Sequence, residues 1–262
     1  MEILRNSWGA PSIVRGLAVA VLCLTGAGPA LAEAEPATTV EREGEAIVYL
    51  GGIDADANAR VRQLLEEGGV RWLHITSGGG ELGLGMDLGE LVRSHGLDVR
   101  VLDYCASSCA NYVFPAGRRK LLGAASAVIW HGSAIQADVG AAEAIDFDAV
   151  TELRGTPLTE AEKAAMIERF AAYGRAMRER QAAFYAALDV DQRVTVFGQD
   201  VACDCEWTIP VADMARFGIA GIEAPDGYGA HLAELPKPVT LLRLDDHPDY
   251  AAAIDAARDS HE

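Results

Sequence analysis

The sequence predicts a layered α/β domain built on a mainly parallel sheet. Three observations lead there: short apolar runs alternate with amphipathic helical stretches from Ala46 to His131, glycines close those helices, and a long apolar-striped helix follows in the second half. Strand–helix–strand connections of this kind are right-handed crossovers that leave ligand sites at the C-terminal ends of strands. With 262 residues, half of them apolar, the chain can bury one substantial core, so one domain with appendages is expected.

Residues 1–32 read as a secretory signal peptide. Arg5 and Arg15 precede an apolar run at 17–24, and Gly26, Pro29 and Ala30-Leu31-Ala32 supply a break and a small-residue cleavage site after Ala32. The apolar run is too short to span a bilayer, and Leu22 is too large to precede a lipid-bearing Cys23. An exported, periplasmic protein with no membrane attachment after signal cleavage is the expectation. Residues 33–44 are acidic and rich in Ala, Pro and Thr, and are expected to form a disordered lead-in.

The domain proper is expected over 45–226. Ala46–Leu50 reads as a buried strand, and Asp54 and Asp56 open a helix in which Ala57, Val61, Leu64 and Leu65 recur until Gly68-Gly69. A second strand, 70–75, runs into Thr76-Ser77-Gly78-Gly79-Gly80, a turn so rich in glycine that its backbone must approach something closely or take positive φ. A helix carrying Leu84, Leu88, Leu91 and Val92 ends at Gly96. A third strand, 97–102, then leads into Tyr104-Cys105-Ala106-Ser107-Ser108-Cys109 and an apolar helical segment closed by Gly117. The fourth strand, 127–130, ends at His131.

Residues 133–156 lose periodicity and are expected to form a long loop or flap. Thr159 and Glu162 cap a helix reaching about Leu188, whose stripe of Met166, Phe170, Tyr173, Met177 and Phe184 is either core, a subunit interface or a groove wall. A short helix, 211–217, ends at Gly218, and 227–262 is a C-terminal tail with one strand candidate at 239–244.

The formal net charge of −17 argues against nucleic acid and anionic membranes as partners. Cys23 leaves with the signal, so Cys105, Cys109, Cys203 and Cys205 remain, in a compartment where disulfides persist. Their Cys-x3-Cys and Cys-x-Cys spacings fit zinc sites badly, and no metal is expected. On a helix, residues four apart lie within disulfide reach, which favours Cys105 with Cys109; Cys203 then pairs with Cys205, or the four cross-pair.

Ser108 stands where strand gives way to helix, facing unpaired backbone N–H groups and the positive end of the helix dipole. Such a place favours developing negative charge, although a serine there is often a plain cap. The glycine turn, Ser108 and His131 come from consecutive strand–helix units, which lets them converge on one rim. Serine attack on a carbonyl needs a base, an acid that orients the base, and donors for the oxyanion. Ser108 and His131 supply nucleophile and base, and Glu206 or Asp204 the acid.

The run Ile75-Thr76-Ser77-Gly78-Gly79-Gly80-Glu81, then Ala106-Ser107-Ser108-Cys109-Ala110 to Ala116-Gly117, then Ser126-Ala127-Val128-Ile129-Trp130-His131 resembles the Clp protease proteolytic subunit. More broadly it looks like the ClpP/crotonase superfamily, closest to its exported bacterial branch. The resemblance covers about 47–131, and 207–222 more weakly. It implies a ClpP/crotonase-like fold of repeated ββα and βαβ units with a long helix in the C-terminal half. It further implies Ser108 as nucleophile, His131 as general base, and the N–H groups of Gly80 and Cys109 as the oxyanion hole.

The family's acid falls at Glu206, where Glu206-Trp207-Thr208-Ile209-Pro210 precedes a helix ending Phe217-Gly218-Ile219. The family carries aspartate there, which keeps Asp204 open, and Gly78 stands where the family has proline. The resemblance implies no cofactor, peptide or unfolded-protein substrates and a homo-oligomer. Export removes both ATP and an ATP-driven unfoldase, so the expected activity is an ATP-independent serine peptidase working through an acyl-enzyme. Crotonase chemistry is set aside, because coenzyme A esters are cytosolic and that branch uses no Ser-His pair. The alternative is a non-catalytic binding or assembly module with a structural disulfide.

Overall fold

The computed structural model describes residues 37–234 and 238–259, so the expected signal peptide lies outside the described residues. The chain divides into two units, one of Ala137–Ala176 and one comprising 37–136 together with the described residues from Met177 onward.

The larger unit opens with a hairpin of β1 (Thr39–Glu43) and β2 (Ala46–Leu50), paired antiparallel from Thr39 opposite Leu50 to Glu43 opposite Ala46. Residues 39–43, expected in a disordered lead-in, are therefore a strand. Their own side chains bury little, but the open edge of β2 carries backbone groups that need partners, and the lead-in supplies them. α1 (Ala55–Glu66) follows, capped by Asp54, whose carboxylate accepts from the Ala57 N–H at 2.8 Å. Its Val61, Leu64 and Leu65 are buried, each contributing roughly 1.5–3 kcal/mol.

Next come β3 (Trp72–Ser77), α2 (Leu82–Ser94) and β4 (Asp98–Ala106), with β2, β3 and β4 paired in parallel. A π-helical turn, Cys109–Val113, runs on into the single turn α3 (Phe114–Ala116). β5 (Lys120–Leu122) and β6 (Ala127–Ile129) then share one edge of β4: Val99–Val101 pair with β5, and Tyr104–Ala106 pair with β6. The sheet forks along β4, and the fork sends the end of β6 to the end of β4. Both ladders are parallel, as the alternation of strands and helices predicts.

The remaining elements of this unit close the sheet and cover it. β7 (Trp207–Thr208) exchanges backbone hydrogen bonds with Trp130, just past β6. β8 (Ile222–Glu223) adds a parallel edge to β5. The tail holds more structure than expected: β9 (Thr240–Leu241) pairs in parallel with β7, and Pro248–Asp259 is helical, its Ala251 and Ile254 buried in the main core.

In the smaller unit, residues expected to form a flap contain a helix, Phe147–Arg154, whose N-cap Asp146 accepts from the Ala149 N–H at 2.9 Å. Its missing signal has a physical basis, since the helix is only eight residues long and none of them is buried. The long helix Glu160–Leu188 starts at a reciprocal cap: the Glu162 N–H donates to Thr159 Oγ1 at 3.2 Å, and the Thr159 N–H to Glu162 Oε2 at 2.8 Å. Its apolar stripe divides along its length. Met166, Phe170 and Tyr173 are half-buried, whereas Phe184, in the larger unit, is core, with Met177 packed against that core.

Candidate active site

The ends of β3, β4 and β6 meet around Ser108. After β3, the Ser77 hydroxyl accepts from the Gly79 N–H at 3.1 Å, and the Gly79 carbonyl accepts from the Ile53 N–H at 2.7 Å. Gly79 takes φ +92, and a Cβ there would lie 2.7 Å from the Ala106 carbonyl oxygen and 2.8 Å from the Ser108 nitrogen. The glycine turn is thus pressed backbone to backbone against the serine corner, as its composition predicts.

At that corner Ser107 adopts φ +55, a left-handed conformation unusual for a residue with a Cβ. The Ser107 N–H still donates to the Ile129 carbonyl at 3.0 Å, and the Ser107 carbonyl accepts from the Asn111 N–H at 2.8 Å, so the reversal is pinned on both sides. The disulfide Cys105–Cys109 spans it, with Cα atoms 5.2 Å apart. The bridge forms as spacing predicts but not by helical geometry. Cys105 ends a strand and Cys109 begins the π-helical turn.

Ser108 is 1% exposed. Its hydroxyl donates to the Gly80 carbonyl oxygen at 2.7 Å, so what Gly80 turns toward the serine is its oxygen. The sequence predicts a hydroxyl facing out of the sheet; instead α2 lies over it. A Cβ on Gly85 would come within 2.6 Å of Ser108 Cβ, and only glycine admits that approach. Cys109 is the first residue of the helical segment, which leaves its N–H without an earlier carbonyl of that segment to pair with.

His131 stands two residues past the end of β6 and Ser108 two past the end of β4, on adjacent parallel strands. On its other side, Trp130 and Trp207 exchange both backbone hydrogen bonds, at 2.8 and 3.0 Å, in an antiparallel bridge. One step along such a pairing, residue 131 falls opposite residue 206. The bridge thus brings the backbone next to Glu206, rather than that of the exposed Asp204, to the backbone next to His131. Asp204 is enclosed by a second disulfide, Cys203–Cys205, with a Cα separation of 5.2 Å.

Behind these residues lies a polar layer, buried except at Gln199, that sequence reading does not find. Asn111 Nδ2 donates to the Gly132 carbonyl at 2.8 Å, and Gln199 Nε2 to the His131 carbonyl at 3.1 Å. Gln181 accepts from the Tyr112 hydroxyl at 2.6 Å and from the Ala134 N–H at 3.2 Å, and donates to the Ser133 hydroxyl at 3.1 Å. The Tyr185 hydroxyl donates to the Asn111 carbonyl. Burial pushes the Tyr112 and Tyr185 phenols well above their usual pKa, so both remain neutral donors. The one signal in the sequence is Asn111 itself, a lone amide in the apolar run Ala110 to Phe114.

The fold is that of an α/β protein with a mainly parallel sheet, with the glycine turn and the Ser108 corner packed together at its strand ends. No family model and no curated protein matches the chain. Among solved structures it is similar to a ClpP1 mutant from Listeria monocytogenes, with 17% sequence identity over 70% of this chain and 93% of that one, and a TM-score of 0.43.

Proposed function

We propose that this chain is an exported serine hydrolase, an ATP-independent peptidase with a ClpP/crotonase-like fold acting in the periplasm as a homo-oligomer. The observation that carries the reading is backbone register: residues 108 and 131 each stand two past the ends of the paired strands β4 and β6, and the Trp130–Trp207 bridge joins the backbone next to 131 to that next to 206. This supports Ser108, His131 and Glu206 in sequence. That is the order nucleophile, base, acid required for acyl transfer.

In this mechanism a peptide carbonyl approaches Ser108, and the serine proton leaves the Gly80 carbonyl for His131. Bonding of Oγ to the carbonyl carbon makes a tetrahedral oxyanion held by the Cys109 N–H, joined by that of Gly80 when its peptide turns after its carbonyl has lost the serine proton. His131, oriented by Glu206, returns the proton to the leaving amine as the C–N bond breaks. Water then repeats the sequence on the acyl-serine and releases the acid.

A second reading has its own support. Ser108 is buried and its hydroxyl is already engaged by Gly80, which suits a binding or assembly module on the same fold. A fluorophosphonate probe separates the two. Labelling of folded wild type that disappears in Ser108→Ala supports the hydrolase, and a folded protein that takes no label supports the module.

A further inference from the structure

We propose that Asn111 and Gln199 are positioning residues for His131, two amide struts that fix the base relative to the nucleophile on one side and the acid on the other. The inference rests on the hydrolase reading and adds residues that its mechanism does not use.

The argument starts from the backbone that follows the base. Gly132 takes φ +131, a conformation that favours glycine, and the Gln136 and Gln199 side-chain amides lie where a Cβ would stand, so the chain leaves His131 between two amide groups. Both carbonyls at this point are taken by side-chain amides rather than by a strand ladder. Asn111 Nδ2 holds the Gly132 carbonyl at 2.8 Å, and Gln199 Nε2 holds the His131 carbonyl at 3.1 Å.

Each strut lies in the stretch of chain next to a catalytic partner. Asn111 lies three residues after Ser108, its own N–H bonded to the Ser107 carbonyl at 2.8 Å. Gln199 belongs to the short helix Phe197–Asp200, which leads through Cys203–Cys205 to Glu206. Asn111 is 1% exposed, and its Oδ1 has no hydrogen-bond partner among the described residues, although buried acceptors are almost always satisfied. An amide kept in place with its oxygen unpaired is there for what its nitrogen does.

The test is the pH profile of fluorophosphonate labelling in wild type, Asn111→Leu and Asn111→Asp, with folding checked by circular dichroism. Wild-type labelling should rise with pH as His131 loses its proton. Asn111→Leu should label about 100-fold more slowly at every pH, the scale of an ångström-sized misplacement. Asn111→Asp should give a bell. Burial raises the new carboxyl's pKa; while protonated it donates to the Gly132 carbonyl and restores the strut, and once ionised it repels that oxygen. The titratable groups next to it are the adjoining Tyr112 and the contacting Tyr185 phenols, which stay neutral throughout; His131 precedes its partner Gly132 in the chain, and the wild-type profile reads it.

A purely structural asparagine would lower folding without bending the profile. If both variants keep the wild-type profile and rate, the strut is refuted while the hydrolase reading stands. If folded wild type takes no label, the hydrolase reading falls and the strut with it. Should the Asn111 variants fail to fold, Gln199→Ala decides, because Gln199 is exposed. It should label about 10-fold more slowly at an unchanged melting temperature, well short of the 100-fold scale, and an unaltered rate overturns the proposal.

Discussion

Replacing Cys105 and Cys109 together by alanine asks how much the serine corner depends on its disulfide. The bridge closes a loop of sequence separation 4, for which the chain-entropy relation gives about 2 kcal/mol at 25 °C. Both side chains are fully buried, and trimming each sulfur from the core removes about 0.8 kcal/mol more, taking it as equivalent to a methylene. The sum, about 3.5 kcal/mol, should lower the melting temperature by roughly 10 °C in a chain of this size. The same change at Cys203 and Cys205 acts on a separation of 2, worth about 1.2 kcal/mol, and should cost roughly 4 °C. Those two side chains are half-exposed, so little core is lost with them. Thermal melts of the two double variants beside wild type, with native thiols titrated in each, make the comparison. Equal losses from the two pairs, a larger loss from Cys203 and Cys205, or four reactive thiols in native wild type would refute the reasoning.

Gly79→Ala should destabilise by about 3 kcal/mol, combining a left-handed residue with a new contact against Ala106 and Ser107, whereas Gly44→Ala should cost about 1 kcal/mol. Gly44 is also left-handed, at φ +61, but no atom of the described residues lies within 4 Å of the added Cβ, so urea midpoints that match for the two would show that the turn gives way. Lys120 is 4% exposed, its ammonium held by the Gly117 and Ala220 carbonyls at 2.6 and 2.8 Å, and burial pulls its pKa down to about 8. Above that value the folded chain has lost a proton that the unfolded chain keeps until about 10.5, so this group's contribution to stability rises with pH across that window. Between pH 7.5 and 10, wild type should therefore gain about 2 kcal/mol on Lys120→Met in urea unfolding. Parallel curves for the two proteins would show that Lys120 titrates normally.

Much of the scaffold was legible because its signals are local. Alternating apolar runs, the caps at Asp54 and Thr159 and the glycines after helices act within a few residues of themselves, and they place β2, β3, α1 and α2 to within two residues. β5 escaped notice because three residues, one of them a buried lysine, carry no periodicity, and β1 because an exposed edge strand owes its structure to a neighbour's unpaired backbone. The candidate site divides in the same way. Ser108 and His131 announce themselves as a serine at a strand-to-helix corner and a histidine at a strand end, while Asn111, Gln181 and Gln199 look like ordinary polar residues until the fold buries or aims them.

By itself the sequence determined the α/β class, the mainly parallel sheet, the close-packed glycine turn and the nearness of Cys105 to Cys109. Each depends on backbone sterics and on spacing along a short stretch of chain. Only the tertiary structure decided that β4 splits its edge between β5 and β6, that Trp130 and Trp207 pair through their backbones, and that the Ser108 hydroxyl is covered and bonded to Gly80. Those outcomes follow from which backbone groups, far apart in the chain, were left to pair and which side chains left room for them, and no local pattern encodes that.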